Sequence, residues 1–245
     1  MPDVLVGTSG WQYRHWRGVF YPTGVPQRQW LEYYAGQFAT VENDGTFYRL
    51  PARETFEQWR ARTPDGFQMA VKASRFLTHI RRLRDPSAPV RRLLDACTGL
   101  GDRLGPVLLQ LPPGMKADAP LLDAALGQFG PQVRVAVEPR DDSWWTDSVQ
   151  AVLAARGAAL CWADRGGAPA TPLWRTADWG YLRFHEGTGN PWPRYADRAL
   201  HGWADRLAAT WSAATAQVYA FFNNDQNGAA VLDAAAFAKL TNRAD

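Results

Sequence analysis

Eight short β-rich runs recur along the chain with helical patterns between them, and this alternation limits the fold more than any other feature. The runs are VLVGTS (4–9), ATVEN (39–43), FQMAVKA (67–73), PVLLQL (106–111), VRVAVE (133–138), AALCWA (158–163), GYLRFH (180–185) and QVYAFF (217–222). Most are continuous apolar stretches, as parallel strands covered on both faces require. Between them, apolar residues fall at helical spacing. Examples are Trp30, Tyr34 and Phe38; Val90, Leu93, Leu94, Cys97 and Leu100; and Leu200, Trp203, Leu207 and Trp211. Strand then helix, eight times, reads as an α/β fold: a single (β/α)8 TIM-barrel domain over residues 1–245. One link is thin. Fourteen residues separate Asp164 from Trp179, with Gly166, Gly167, Pro169 and Pro172 among them, so the helix between strands six and seven is expected to be short or missing.

Composition narrows the function classes. No apolar run reaches the roughly 18 residues of a membrane span. The N-terminus, MPDVLVGTSG, has an acidic third residue and no cationic leader. Cys97 and Cys161 stand far apart, outside any C-x-x-C, and read as reduced thiols in a cytoplasmic protein with no membrane partner. Arg supplies 24 of the 27 cationic residues, which suits bidentate contact with phosphate or carboxylate. The chain has no P-loop, G-x-G-x-x-G or G-x-S-x-G motif. Its fourth strand ends in Gln110, where a retaining glycosidase of the common barrel kind needs an acid.

A barrel gathers its chemistry just after the strands. In chain order those positions hold Thr8, Ser9 and Trp11; Glu42 and Asp44; Lys72, with His79 in the following loop; Gln110; Glu138 and Arg140; Asp164; Arg183, His185 and Glu186; and Asn223, Asn224 and Asp225. The structural alternative for Glu42, Lys72, Glu138 and Arg183 is a set of ion pairs inside the mouth. The whole ring is harder to assign to stability, because burying an unpaired charge costs several kcal/mol.

The stretches VGTSGWQYRHWRGVFYP, TFYRLP, VKASRFLTH, LLQLPP, VEPRDDSWW, YLRFH and FFNND occur in the order seen in the YecE-like family, a domain of unknown function numbered 72, and the chain resembles that family along its whole length. The resemblance implies a TIM barrel and brings no established activity. Two positions depart from the family pattern. Asp44 stands where the family commonly has Asn, and Asp141 stands where it often has His.

Three readings of function follow. The first is an acid–base enzyme acting on a small anionic substrate, phosphorylated or acidic, sugar- or nucleotide-like. Lys72, Arg140 and Arg183 would clamp the anion, and Glu42, Asp44, Gln110, Asn223, Asn224, Asp225 and Trp11 would line the pocket. Glu138 is then the natural base and His79 or His185 the natural acid. Gly228 would open the last helix to a phosphate. The second reading adds a divalent metal, Mn or Mg, on Glu138, Asp164, His185 and Asp225. The third is a non-catalytic binding protein, or a nucleic-acid-binding or nuclease-like barrel that meets its partner through a run of Arg75, Arg81, Arg82, Arg84, Arg91 and Arg92 with Trp exposed at the strand ends. The plainer account of that run is a solvated helix face.

Overall fold

The computed structural model describes residues 2–213 and 215–241. Its strands are β1 (Asp3–Thr8), β2 (Thr40–Asn43), β3 (Gln68–Lys72), β4 (Leu104–Gln110), β5 (Val135–Glu138), β6 (Ala159–Arg165), a two-residue β7 (Ala168–Pro169), β8 (Gly180–Phe184) and β9 (Gln217–Phe222). Each of the eight apolar runs forms a strand. The α-helices are α1 (Trp30–Ala35), α2 (Gly45–Tyr48), α3 (Arg53–Ala61), α4 (Ser87–Cys97), α5 (Ala119–Leu126), α6 (Asp147–Ala155), α7 (Asp197–Thr210) and α8 (Ala229–Thr241).

Hydrogen-bonded neighbours follow the order β1-β9-β8-β6-β5-β4-β3-β2, with β7 off the path against β6. Ser9, after β1, and Glu42, in β2, form a further parallel bridge. This is a TIM-barrel-like α/β fold. Between β6 and β8 the described chain holds no helix; β7 folds back antiparallel on β6 instead. The glycines and prolines there had pointed to such a gap.

The chain divides into two compact units. One comprises Met1–Glu42, Trp162–Leu173 and Asp178–Asp245; the other comprises Asn43–Cys161 and Trp174–Ala177. Aromatic stacking fills the first. Phe184 of β8 lies on Phe222 of β9 at 4.2 Å, and Tyr21 lies on Trp30 at 4.5 Å. The high Trp content is largely a packing load, since Trp16, Trp30, Trp144, Trp162 and Trp203 are all fully buried. The Trp expected to be exposed after strand one is not: Trp11 is buried, and its carbonyl accepts the Tyr21 hydroxyl at 2.6 Å.

In the second unit, β3, β4 and β5 pair in parallel, and α4 buries Val90, Leu93 and Cys97. The arginine run is only partly helical. Arg81–Asp85 precedes α4 as a turn with positive φ at Arg82, Leu83 and Asp85, where the buried Leu83 anchors an exposed rim.

Gly7 of β1 shows how closely the first unit is packed. A Cβ built there would lie 2.1 Å from Thr40 O and 3.0 Å from the Tyr34 hydroxyl. Gly7→Ala should therefore destabilise the protein by about 1–3 kcal/mol, the cost typical of overpacking. Chemical denaturation would measure it, and an unchanged midpoint would show that β1 and β2 can move apart freely.

Candidate functional site

The second unit gathers ionisable groups where β3, β4 and β5 end. Gln110 and Glu138 are register partners across β4 and β5, so their side chains start side by side. Gln110 Nε2 donates to Glu138 Oε2 at 2.7 Å, and Arg140 Nη2 donates to Glu138 Oε1 at 2.9 Å. The Glu138 side chain is 1% exposed while that of Arg140 is 30% exposed, so the buried carboxylate holds a guanidinium that still meets solvent. Lys72 closes β3. Its ammonium lies 3.5 Å from Asp44 Oδ1 and 4.7 Å from the Phe47 ring centroid. Thr46 Oγ1 donates to Lys72 O at 2.7 Å, tying α2 to the end of β3.

His79 sits in the π-helical turn Phe76–Ile80 that follows β3, with its ring edge-on to Phe47 at 4.9 Å. Such wide turns recur at functional positions because they push side chains out of helical register. Thr78 Oγ1 lies 2.9 Å from His79 Nδ1 and 3.1 Å from Ser74 O, and its one hydrogen serves one of the two. Burial lowers the His79 pKa below the usual imidazole value, and the charges of Lys72, Arg75 and Arg140 lower it further. Burial and these charges thus both favour the neutral form of the ring.

Asp141, one of the two family departures, serves a local cap. It accepts from Ser143 N at 3.0 Å and from Lys116 Nζ at 3.1 Å, and the Ser143 bonds with the Lys116 bond hold its pKa down to about 2. Asp44, the other departure, partners Lys72 as described above.

In the first unit the predicted residues are mostly engaged with one another or with the core. Glu42 and Arg183 are both 0% exposed and pair at 2.7 Å. Ser9 Oγ donates to Glu42 Oε1 at 2.6 Å, and Tyr181 Oη donates to Oε2 at 2.5 Å. Asp164 accepts from Tyr195 Oη at 2.6 Å, Trp203 Nε1 at 2.7 Å and Gly167 N at 3.1 Å. Its burial raises the carboxyl pKa, opposed by those bonds and by His185. Asn224 is buried and donates to Pro193 O at 3.0 Å and Asp233 Oδ2 at 2.8 Å. Asp225 accepts Trp16 Nε1 at 2.7 Å and pairs with His15 at 3.0 Å. Asn223 and His185 meet at 3.3 Å. Gly228 holds φ +76 in the turn before α8, a backbone reason for its being glycine.

Among the described residues, no three His, Cys, Asp or Glu side chains gather where an ion could sit. The set of Glu138, Asp164, His185 and Asp225 is thus not such a group, and its three carboxylates already accept from the donors named above. Sequence reading had not included Tyr181, Tyr195, Asp233, His15 or Thr78. Asp233 alone left a signal, as an acid inside the apolar run AAVLDAAAF of α8.

Comparison with known proteins agrees with this fold. The profile of a family described as "Protein of unknown function DUF72" matches residues 5–245. The UPF0759 protein YecE of Escherichia coli K12 is 31% identical over 109 residues, 44% of this chain and 38% of that protein. The UPF0759 protein YunF of Bacillus subtilis 168 is 28% identical over 152 residues, 58% of this chain and 52% of that protein. The match thus spans about half the length of these relatives or less. The crystal structure of a DUF72 family protein from Thermotoga maritima superposes with a TM-score of 0.85 at 26% identity, covering 98% of this chain and 100% of that one. One from Enterococcus faecalis V583 shares the fold at 17% identity, with a TM-score of 0.81 over 99% of this chain and 96% of that one.

Glu42→Gln should destabilise the protein by about 3–5 kcal/mol, because it takes the negative charge out of a pair in which both side chains are 0% exposed. Urea unfolding tests this. A loss under about 1 kcal/mol would mean that the guanidinium finds other compensation.

Proposed function

We propose that this chain, which belongs to the DUF72 family, is an acid–base enzyme that binds a small anionic substrate at Lys72 and Arg140 and moves a proton through His79. The observation that carries this reading is the place of His79 near Lys72, Arg75 and Arg140, whose charges add to burial in lowering its pKa. Three cations around a deprotonated ring are unfavourable for the ring's own protonation and favourable for an anion beside it. Arg140 offers a planar fork suited to phosphate or carboxylate, and Glu138 and Gln110 orient that fork from below. Lys72 adds a point charge, steadied by Asp44 and the face of Phe47.

In this reading His79 Nδ1 donates to Thr78 Oγ1, 2.9 Å away, and Nε2 accepts the proton. A bound anion would raise the His79 pKa toward neutrality, where a general base works best. Glu138 then acts chiefly by positioning Arg140, a narrower role than that of free base. The substrate class is a phosphorylated or carboxylated metabolite. The polar groups of the first unit serve mainly to hold their own strands and helices.

The histidine gives a direct test. Its folded pKa lies below its unfolded value, so between the two the unfolded chain binds more protons. Stability should therefore fall as pH drops through about 6.5, and His79→Gln should flatten that part of the profile. In NMR titrations the His79 ring should titrate below the usual value in buffer without phosphate and move upward when inorganic phosphate is added. Lys72→Met should abolish most of the upward shift and leave the melting temperature within a few degrees. A His79 titration indifferent to phosphate and to Lys72→Met would overturn the anion site.

A further inference from the structure

A second feature of the Asn43–Cys161 unit lies outside this ionisable cluster. A groove of about 1030 Å³ is bounded by Tyr48–Arg53, by Ser74 and Phe76 after β3, and by α4 from Ala88 to Ala96. Two large aromatics in its wall face solvent: Tyr48 is 81% exposed and Phe76 is 47% exposed. Both are braced. Tyr48 stands edge-on against Phe47 at 5.0 Å, and the Arg81 guanidinium lies 5.4 Å from the Phe76 ring centroid. Large rings held upright in water cost hydration free energy, and their clustering in one groove marks a contact surface.

The charges of the groove are as uneven as its rings. Arg49, Arg53 and Arg92 line it against a single acid, Asp95. Arg53 pairs with Glu57 at 3.0 Å. Arg49 and Arg92 make no ion pair with any described residue. A ligand suited to this wall has flat faces for the rings and spaced negative charges for the guanidinium forks. An acidic peptide would supply the charges but would also need backbone partners. The stretch Leu50–Ala52 is a poor edge for it, because Pro51 has no N–H. A duplex hides its base faces in the stack.

We propose that this groove binds single-stranded nucleic acid, with bases stacked on Tyr48 and Phe76 and phosphates held by Arg49 and Arg92. Aromatic platforms beside a cationic track are how proteins hold single strands without reading sequence. The four side chains proposed to touch the strand are not those proposed to hold the anion near His79, although Phe47 braces Tyr48 and also borders His79.

Fluorescence anisotropy with labelled oligothymidylate and oligouridylate, each about twelve nucleotides long, tests it on the full chain. Both probes are to be titrated at low and at raised salt beside a duplex of equal length. Single strands should bind more tightly than duplex, with affinity falling steeply as salt rises. Tyr48→Ala and Phe76→Ala should each weaken binding about tenfold, whereas Tyr48→Phe should keep it. Arg49→Gln with Arg92→Gln should lower the slope of log affinity against log salt by about one to two. Melting curves should be unchanged, since all four side chains sit at the surface. The phosphate-induced shift of His79 should also persist in Tyr48→Ala, which keeps this proposal and the function proposed above separately testable. Three outcomes would overturn the proposal: no binding of either single strand at low salt, equal binding of duplex with no effect of Tyr48→Ala, or displacement of the oligonucleotide by a polyglutamate peptide at lower concentration.

Discussion

A carboxylate and a guanidinium sealed from water hold the first unit in register. Glu42 sits at the end of β2 and Arg183 in β8, each with no exposed surface. Taking two such charges out of water costs several kcal/mol per ion, repaid only when nearly every lone pair and proton finds a partner. Here the repayment is visible. Ser9, Tyr181 and Arg183 all donate to the one carboxylate. Tyr181 and Arg183 lie two apart on β8, so they project from the same face of the strand and reach Glu42 together. A shift of one residue in β8 would turn both away and leave the acid stranded. The pair thus specifies register as well as contributing attraction.

The same logic recurs in smaller form around Asp164 and Asp233. Each is a buried acid whose oxygens are claimed by donors from distant parts of the sequence: Tyr195 and Trp203 for Asp164, and Asn224, Arg194 and the Tyr195 backbone for Asp233. These acids connect the segment after β8 to α7 and α8. Their polar atoms are spent on holding backbone and side chains in place.

The cluster at the ends of β3, β4 and β5 is balanced differently. Glu138 is as buried as Glu42, yet its guanidinium partner remains partly in water. Lys72 and Arg75 add positive charge near a histidine that carries none, and the local acids Asp44 and Glu138 already have cationic partners. Exposure is the physical difference between the two pairs: Arg140 is 30% exposed, whereas Arg183 is sealed with Glu42.

Much of the architecture could be read from the chain itself. The eight apolar runs all become strands, because a segment apolar on both faces is stable only between two covering layers. The missing helix after β6 was legible too, since glycine and proline make poor helix interiors. Residue type also marked the strand ends as polar. It could not distinguish Glu42 from Glu138, because an acid after a strand looks the same whether its partner is sealed in or open to water. That depends on side chains far apart in sequence, such as Tyr181 for Glu42, and on burial that no local pattern encodes. The surroundings of His79 were hidden for the same reason. Its cations come from separate segments, and its Nδ1 meets a hydroxyl one residue away in a π-helical turn that periodicity does not reveal. Sequence determined which segments would be strands and which would carry charge. Tertiary structure decided which charges cancel, because Coulomb and desolvation energies depend on distance and exposure in space.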